Sequence, residues 1–194
     1  NIGFIAKKFY QRNTNIYDLG SSLCACSLSV QDKIQNINGN IYAVDSSPSM
    51  INECKKNIDN KKIKLINSDI AHINIENSSV IILNLTLQFI PKDRRTRLLK
   101  NFFDNLNKHG VIIITEKIII DEIDNNKFSK NFHDFFKENK GYSKEEIDRK
   151  KIALENVMLL ESEKQYENRF NEIGCTNFFK WFQCYNFISW VLVK

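Results

Sequence analysis

Four places in the chain set polar residues where a short apolar run gives way to a helix or turn. The first is Ile16-Tyr17-Asp18-Leu19-Gly20-Ser21-Ser22, followed by a helical stretch from Leu23 to Val30. A glycine at such a turn tolerates unusual backbone angles and has no Cβ to hold a ligand away, and the helix start behind it offers free N–H groups. Taken alone it reads equally well as an ordinary tight turn. Twenty-five residues after Gly20, a second run ends in Ala43-Val44-Asp45-Ser46-Ser47-Pro48-Ser49-Met50. An acid at that strand end is placed to accept hydrogen bonds from both hydroxyls of a ribose, as in nucleotide-binding α/β folds. Ser47 before Pro48 is also the order of a helix cap. The third and fourth strand ends carry Asn67-Ser68-Asp69-Ile70 and Leu83-Asn84-Leu85-Thr86-Leu87-Gln88-Phe89. Asp69 is suited to accept from an adenine amino group. Asn84 both donates and accepts, which suits an amino-acid portion or a reacting group. Each is individually an ordinary turn residue, but ligands of open α/β sheets lie over the carboxyl ends of the strands, so together they describe one site.

The elements that must carry these residues follow from hydrophobic period. Runs of strand length, Asn15 to Leu19, Ile41 to Asp45, Lys64 to Asn67, Ser79 to Asn84 and Gly110 to Glu116, alternate with Pro48 to Ile58 and Asp93 to Leu106, whose apolar residues recur every three or four positions. That alternation predicts a parallel sheet covered by helices. From Asp121 to Glu155 the chain is strongly charged and is broken at Gly141-Tyr142-Ser143, where Ser143 with Glu146 fits a capping box. Cys175 to Trp181 and Tyr185 to Val193 are rich in aromatic and β-branched residues and stand too close for a crossover helix, so they predict an antiparallel hairpin. No repeat or linker divides residues 1–194, which predicts a single domain.

The 194 residues are 42% hydrophobic and 11% aromatic, enough for a real core and incompatible with disordered or low-complexity classes. The apolar runs fall far short of the roughly 20 residues of a membrane-spanning helix. The net charge of +5 comes from Lys and Arg scattered among Asp and Glu, a weak argument for a nucleic-acid partner. Five cysteines without a C-x-x-C pair read as buried free thiols in a reducing compartment. His72, His109 and His133 have no metal-ligand spacing, so no metal site is expected. The first nine residues lack the features of a secretory signal, and the expected location is the cytoplasm.

Through Asp18-Leu19-Gly20 and Val44-Asp45-x-Ser47 the chain resembles the class I S-adenosylmethionine-dependent methyltransferase fold. A more specific resemblance lies in five blocks in order: Tyr17 to Ser22, Leu83 to Phe89, Gly141-Tyr142-Ser143, Ala153-Leu154-Glu155-Asn156-Val157-Met158 and Trp181-Phe182-Gln183-Cys184-Tyr185-Asn186-Phe187. They are similar to the carboxy-S-adenosyl-L-methionine synthase family over essentially the whole chain, with one short deletion near Asn60. The resemblance implies a Rossmann-like fold: a mostly parallel seven-stranded sheet, a C-terminal antiparallel hairpin, and a helical insertion at about 121–160 before it.

For function, the resemblance implies that S-adenosylmethionine and prephenate give carboxy-S-adenosylmethionine and phenylpyruvate. A separate tRNA carboxymethyltransferase then uses the product on a wobble uridine, so this chain need not bind nucleic acid. The methyl group is weakly acidic beside the sulfonium, and the enzyme must hold the resulting ylide by the carbon dioxide released from prephenate, away from water. Carried over by position, contacts to S-adenosylmethionine or its carboxy derivative fall on Gly20, Ser21, Ser22, Asp45, Ser46, Asp69, Ile70 and Asn84. The family's arginine for the new carboxylate falls on Lys151, which lacks the two-bond guanidinium fork, and Arg149 is close enough to replace it. A second departure is Cys24, where the family has glycine; a small side chain is tolerable there if the residue already lies in the helix. The family also begins with a segment of roughly 45 residues, bearing a cofactor-contacting tyrosine, before the point where this chain starts. Homodimers are expected. The competing readings are an ordinary methyltransferase on the same fold, and a non-catalytic S-adenosylmethionine-binding relic.

Overall fold

The computed structural model describes residues 1–58, 62–120 and 123–194. The deletion near Asn60 and the insertion's start at Asp121 lie outside them. Five parallel strands build most of the sheet: β1 (Asn15–Leu19), β2 (Ile41–Asp45), β3 (Ile63–Asn67), β4 (Ser78–Asn84) and β5 (Leu106–Ile119). The hairpin β7 (Phe178–Cys184) and β8 (Phe187–Val193) adds to β5, with β8 antiparallel to it, giving the order β3-β2-β1-β4-β5-β8-β7. An eighth strand, β6 (Glu161–Ser162), pairs over two residues with the end of β5 outside this path. The expected seven strands are therefore present, and the eighth is too short to leave a periodic signal.

Val80 to Leu83 and Val111 to Ile114 are fully buried because helices cover both faces, which explains their unbroken apolar runs. One face packs Tyr17, Leu19, Ile81, Leu83, Ile112 and Ile114 against α4 (Lys92–Asn105) and α7 (Glu163–Glu172). The other packs Ile16, Ile41, Val80, Ile82, Val111 and Ile113 against α1 (Ile2–Phe9), α2 (Ala25–Lys33) and α3 (Pro48–Asn57). Each such buried aliphatic side chain contributes about 1.5–3 kcal/mol. Chain order reverses between β1 and β4, so their carboxyl ends border the crevice where open α/β sheets bind ligands.

The insertion is two helices, α5 (Ile123–Asn139) and α6 (Lys144–Leu154), and Ser143 and Glu146 form the expected capping box. Two helices escaped the periodicity. α1 is short, and α7 offers only Tyr166 and Phe170 as apolar residues among charged ones. β7 begins at Phe178, not Cys175, because Cys175 is a buried loop residue whose N–H closes on Phe170 O behind α7. Cys24, Cys54 and Cys175 are buried free thiols; Cys26 is half-buried and Cys184 exposed on the edge strand β7.

α7 is held by buried charge. Glu161 accepts from Arg95 Nη1 of α4 at 2.5 Å and from Arg169 Nη2 of α7 at 2.7 Å, while Arg95 also donates to Leu159 O and Ile90 O. Burial alone would push the Glu161 carboxyl up, but the two guanidiniums outweigh it and hold the group below its usual value. Glu161→Gln leaves two buried guanidiniums without their anion and is expected to lower unfolding free energy by about 3–5 kcal/mol. Denaturant titration checks this; a loss below about 1 kcal/mol, the range of an exposed pair, would show that the network is surface-like.

Candidate active site

The first strand end is set by Asp18, whose buried Oδ2 accepts from Ser27 N (2.9 Å) and Ser27 Oγ (2.6 Å), fastening α2 to β1. Burial pushes the Asp18 carboxyl up to about 6, with the Ser27 donors pulling the other way. The chain leaves β1 at Gly20 with φ +78°, and a Cβ there would meet Thr86 Oγ1 at 2.5 Å, so no other residue fits. Gly20 N and Ser21 N both donate to Val44 O at 2.9 Å, which presses the turn against β2. Ser22 (φ +48°) and Cys24 (φ +62°) are also left-handed, at roughly 1–2 kcal/mol each for residues with a Cβ. Cys24 thus lies outside the helix that would have made it innocuous. Its buried Sγ packs 2.9 Å from Cys54 Sγ of α3, and the exchange for glycine is felt as backbone strain.

Asp45 closes the second strand end with both oxygens engaged: Oδ2 accepts from Ser22 N at 2.8 Å and Oδ1 from Ser47 N at 2.9 Å. Its carbonyl accepts from Asn67 Nδ2 and Ser68 N, so the first three strand ends are hydrogen-bonded into one rim. Ser46 stands exposed on that rim. Asp69 is exposed and uses Oδ1 on Ala71 N, leaving Oδ2 to accept. Ile70 is buried in the core beneath, so its backbone is what it offers to a ligand. At the fourth strand end Asn84 is half-buried and its side-chain amide makes no hydrogen bond among the described residues.

Glu116, unremarked in the sequence, organises the next turn. Its buried Oε1 accepts from Thr86 N (3.0 Å) and Leu87 N (2.7 Å), and Oε2 from Gln88 N (3.0 Å). Burial pushes this carboxyl up to about 8, against the pull of the three N–H donors. Thr86, so held, donates from Oγ1 to Leu19 O and abuts Gly20. The available signal was an acid ending the buried run Val111 to Ile114 and Thr115.

Asn84, Thr115, Trp181 and Ser189 line a cavity of about 200 Å³, with Asn1 and Ile2 at its side. Thr115 and Ser189 hydroxyls lie 2.5 Å apart, and Trp181 Nε1 is buried without a partner. Unpartnered Asn84 and Trp181 fit a ligand that brings its own polar groups, as an amino-acid moiety does. Lys151 and Arg149 lie apart on α6. Lys151 Nζ pairs with Asp134 of α5 (2.7 Å) and with Asp148 (3.3 Å), and the Asp134 contact raises its pKa. Among the described residues, no hydrogen bond or ion pair joins Lys151 or Arg149 to the strand-end residues.

A methyltransferase-domain family model matches residues 16–110, from β1 into β5. Carboxy-S-adenosyl-L-methionine synthases of Vibrio campbellii and Citrobacter koseri are 39% and 41% identical over the whole chain, which spans 80% of each relative. The chain belongs to the carboxy-S-adenosyl-L-methionine synthase family. Its fold is shared with a putative S-adenosyl-L-methionine-dependent methyltransferase from Methanococcus maripaludis, at a TM-score of 0.65 and 20% identity over 100% of this chain and 83% of that one. Among the described residues no helix is long and apolar enough to cross a membrane, and no group of three metal-ligating side chains converges.

Asp18 gives the site's framework a pH signature. Its folded pKa of about 6 exceeds the ordinary 3.8, so the stability it confers is fully present below 3.8 and is lost as pH rises through 6. Asp18→Asn keeps an acceptor for Ser27 but cannot ionise. Chemical denaturation between pH 4 and 6.5 should show the wild type losing about 2–3 kcal/mol more than the variant. Parallel profiles would mean that Asp18 ionises normally in the folded chain.

Proposed function

We propose that this chain makes carboxy-S-adenosyl-L-methionine from S-adenosyl-L-methionine and prephenate. The observation that carries the reading is the identity of 39–41% with named synthases over all of the chain, the strand-end rim and the α5–α6 insertion included. In this reading Gly20, Ser21 and Ser22 take the amino-acid side of S-adenosyl-L-methionine, Asp45 and Ser46 the ribose, Asp69 and the Ile70 backbone the adenine, and Asn84 the reacting end. Bound there, the sulfonium acidifies its methyl group.

Prephenate loses carbon dioxide and hydroxide to become phenylpyruvate; the methyl carbon takes the carbon dioxide, and its proton leaves with the hydroxide as water. The protein's part is to orient the two molecules and keep bulk water from the methyl group. The new carboxylate needs a cation, supplied by Lys151 or by Arg149 on α6. The product passes to a separate tRNA-modifying enzyme in the cytoplasm. The exposed Phe128, Phe132, Phe135 and Phe136 of α5 suit the homodimer of this reading.

Incubation with both substrates, followed by mass spectrometry, should yield carboxy-S-adenosyl-L-methionine and phenylpyruvate in equal amounts. A methylated acceptor with S-adenosylhomocysteine, prephenate being untouched, would mean an ordinary methyltransferase. Binding without turnover of either kind would mean a relic. The cation is tested separately. Lys151→Ala should weaken the carboxylated product roughly tenfold or more while leaving S-adenosyl-L-methionine binding unchanged, because only the product carries the added charge. If Arg149→Ala has that effect and Lys151→Ala has none, the cation is Arg149.

A further inference from the structure

The face that α5 turns to the sheet is polar. Asn126, Ser129, His133 and Lys137 recur at intervals of three and four and therefore share one side of the helix. Asn126 Oδ1 and Ser129 Oγ are buried without a hydrogen-bond partner, Ser129 being only 5% exposed. His133 meets the Phe187 ring of β8 edge-on at 5.2 Å, and Lys117 Nζ of β5 stands 5.6 Å from the centre of the same ring. α5 thus brings His133 to Lys117 across Phe187.

Strand register ties this pair to the cavity. Asn84, Thr115 and Ser189 form one row across β4, β5 and β8. Lys117 and Phe187 are the register pair two residues further along, so they face the same way, roughly 7 Å beyond Thr115. Lys117 is half-buried, and no carboxylate among the described residues lies within ion-pair range of its Nζ. Asp134, whose field it feels, is engaged by Lys151 at 2.7 Å and Lys137 at 3.8 Å. Burial, followed by the repulsion of Lys137, Lys130 and Lys151, holds Lys117 below the ordinary lysine value. Burial and the cations Lys137, Lys117 and Lys150 likewise push His133 down to about 4, so it is neutral at pH 7. A half-buried cation without a counter-ion, on the helix-covered face where Ser129 and Asn126 leave buried polar atoms unpartnered and two residues along the strands from a mainly apolar cavity that Asn84, Thr115 and Ser189 also line, is arranged for an anion that arrives from outside.

We infer that Lys117, with neutral His133 beside it, anchors a carboxylate of the second substrate, the one that phenylpyruvate retains. The inference rests on the synthase reading, in which prephenate brings two carboxylates and gives up one. Lys151, half-exposed and already between two acids, is left for the carboxylate that is transferred. Lys117 serves the one whose charge does not change, which makes it a binding residue and not a catalytic one.

Two measurements separate the inference from the reading beneath it. In turnover, Lys117→Met should raise the KM for prephenate roughly tenfold to a hundredfold at unchanged S-adenosyl-L-methionine affinity, and Lys117→Arg should recover most of the loss. In direct calorimetry, without turnover, Lys117→Met should weaken phenylpyruvate binding by the same factor. An unchanged prephenate KM in a folded Lys117→Met protein, or an equal loss for both substrates, overturns the inference. Should the wild type leave prephenate untouched yet bind phenylpyruvate through Lys117, the anion site stands and the synthase reading falls. Absence of both activities removes the two together.

Discussion

The carboxyl group of Glu116 is the point through which most of the site is held. Three backbone N–H groups of the Thr86–Gln88 turn converge on it in a fully buried setting, where an unmet donor costs about 1–3 kcal/mol. With that turn fixed, Thr86 reaches Leu19 O and closes on Gly20, so the end of β4 defines the turn after β1. Gln88 extends the same arrangement outward: its side chain accepts from Lys117 N and its carbonyl from Leu159 N. The Leu159 carbonyl in turn accepts from Arg95, which pairs with Glu161, the same acid that Arg169 of α7 holds. One acid therefore links the turn after β1, the outer end of β5 and the buried ion network.

Such an arrangement opposes stability locally. Ser22, Cys24 and Leu85 all occupy left-handed backbone at the strand ends, and Asp18 and Glu116 are carboxyls whose burial favours the proton over the charge. Strain of this kind persists only where the surroundings over-determine it. Here the surroundings are β1, β4 and β5, whose central residues are sealed on both faces. Rigid strands deliver the cost, and their ends receive the geometry.

The parallel sheet, its crossover helices and the closing hairpin were legible because their signals are long and periodic, as in Val111 to Ile114 or Pro48 to Ile58. The strand-end residues were legible as a group because each follows an apolar run, and the structure does hydrogen-bond Gly20, Ser21, Ser22, Asp45 and the Asn67–Ser68 turn into one rim. What period could not reveal were contacts that depend on distant partners. Glu116 looks like any acid after a strand, and Glu161 like any surface residue, until Arg95 and Arg169 arrive from two different helices. Cys24 shows the same limit on a smaller scale, since its backbone angle is decided by the turn and not by its side chain.

Charge supplies the final distinction. The net +5 is spread along the chain, and a long polyanion would require an open basic stripe. The cations that matter electrostatically to His133 and Lys117 instead gather around a half-buried point, where Lys117, Lys130, Lys137, Lys150 and Lys151 outnumber Asp134 and Asp148. Within it the half-buried Lys117 and Lys137 act most strongly, because partly desolvated attraction exceeds what the exposed Lys130, Lys150 and Lys151 achieve in open water. The Rossmann-like sheet and its rim are common to enzymes that move a methyl group. Lys130, His133, Lys137, Lys150 and Lys151 all belong to the α5–α6 insertion, so it is the insertion that adds this local excess of positive charge to a methyltransferase framework.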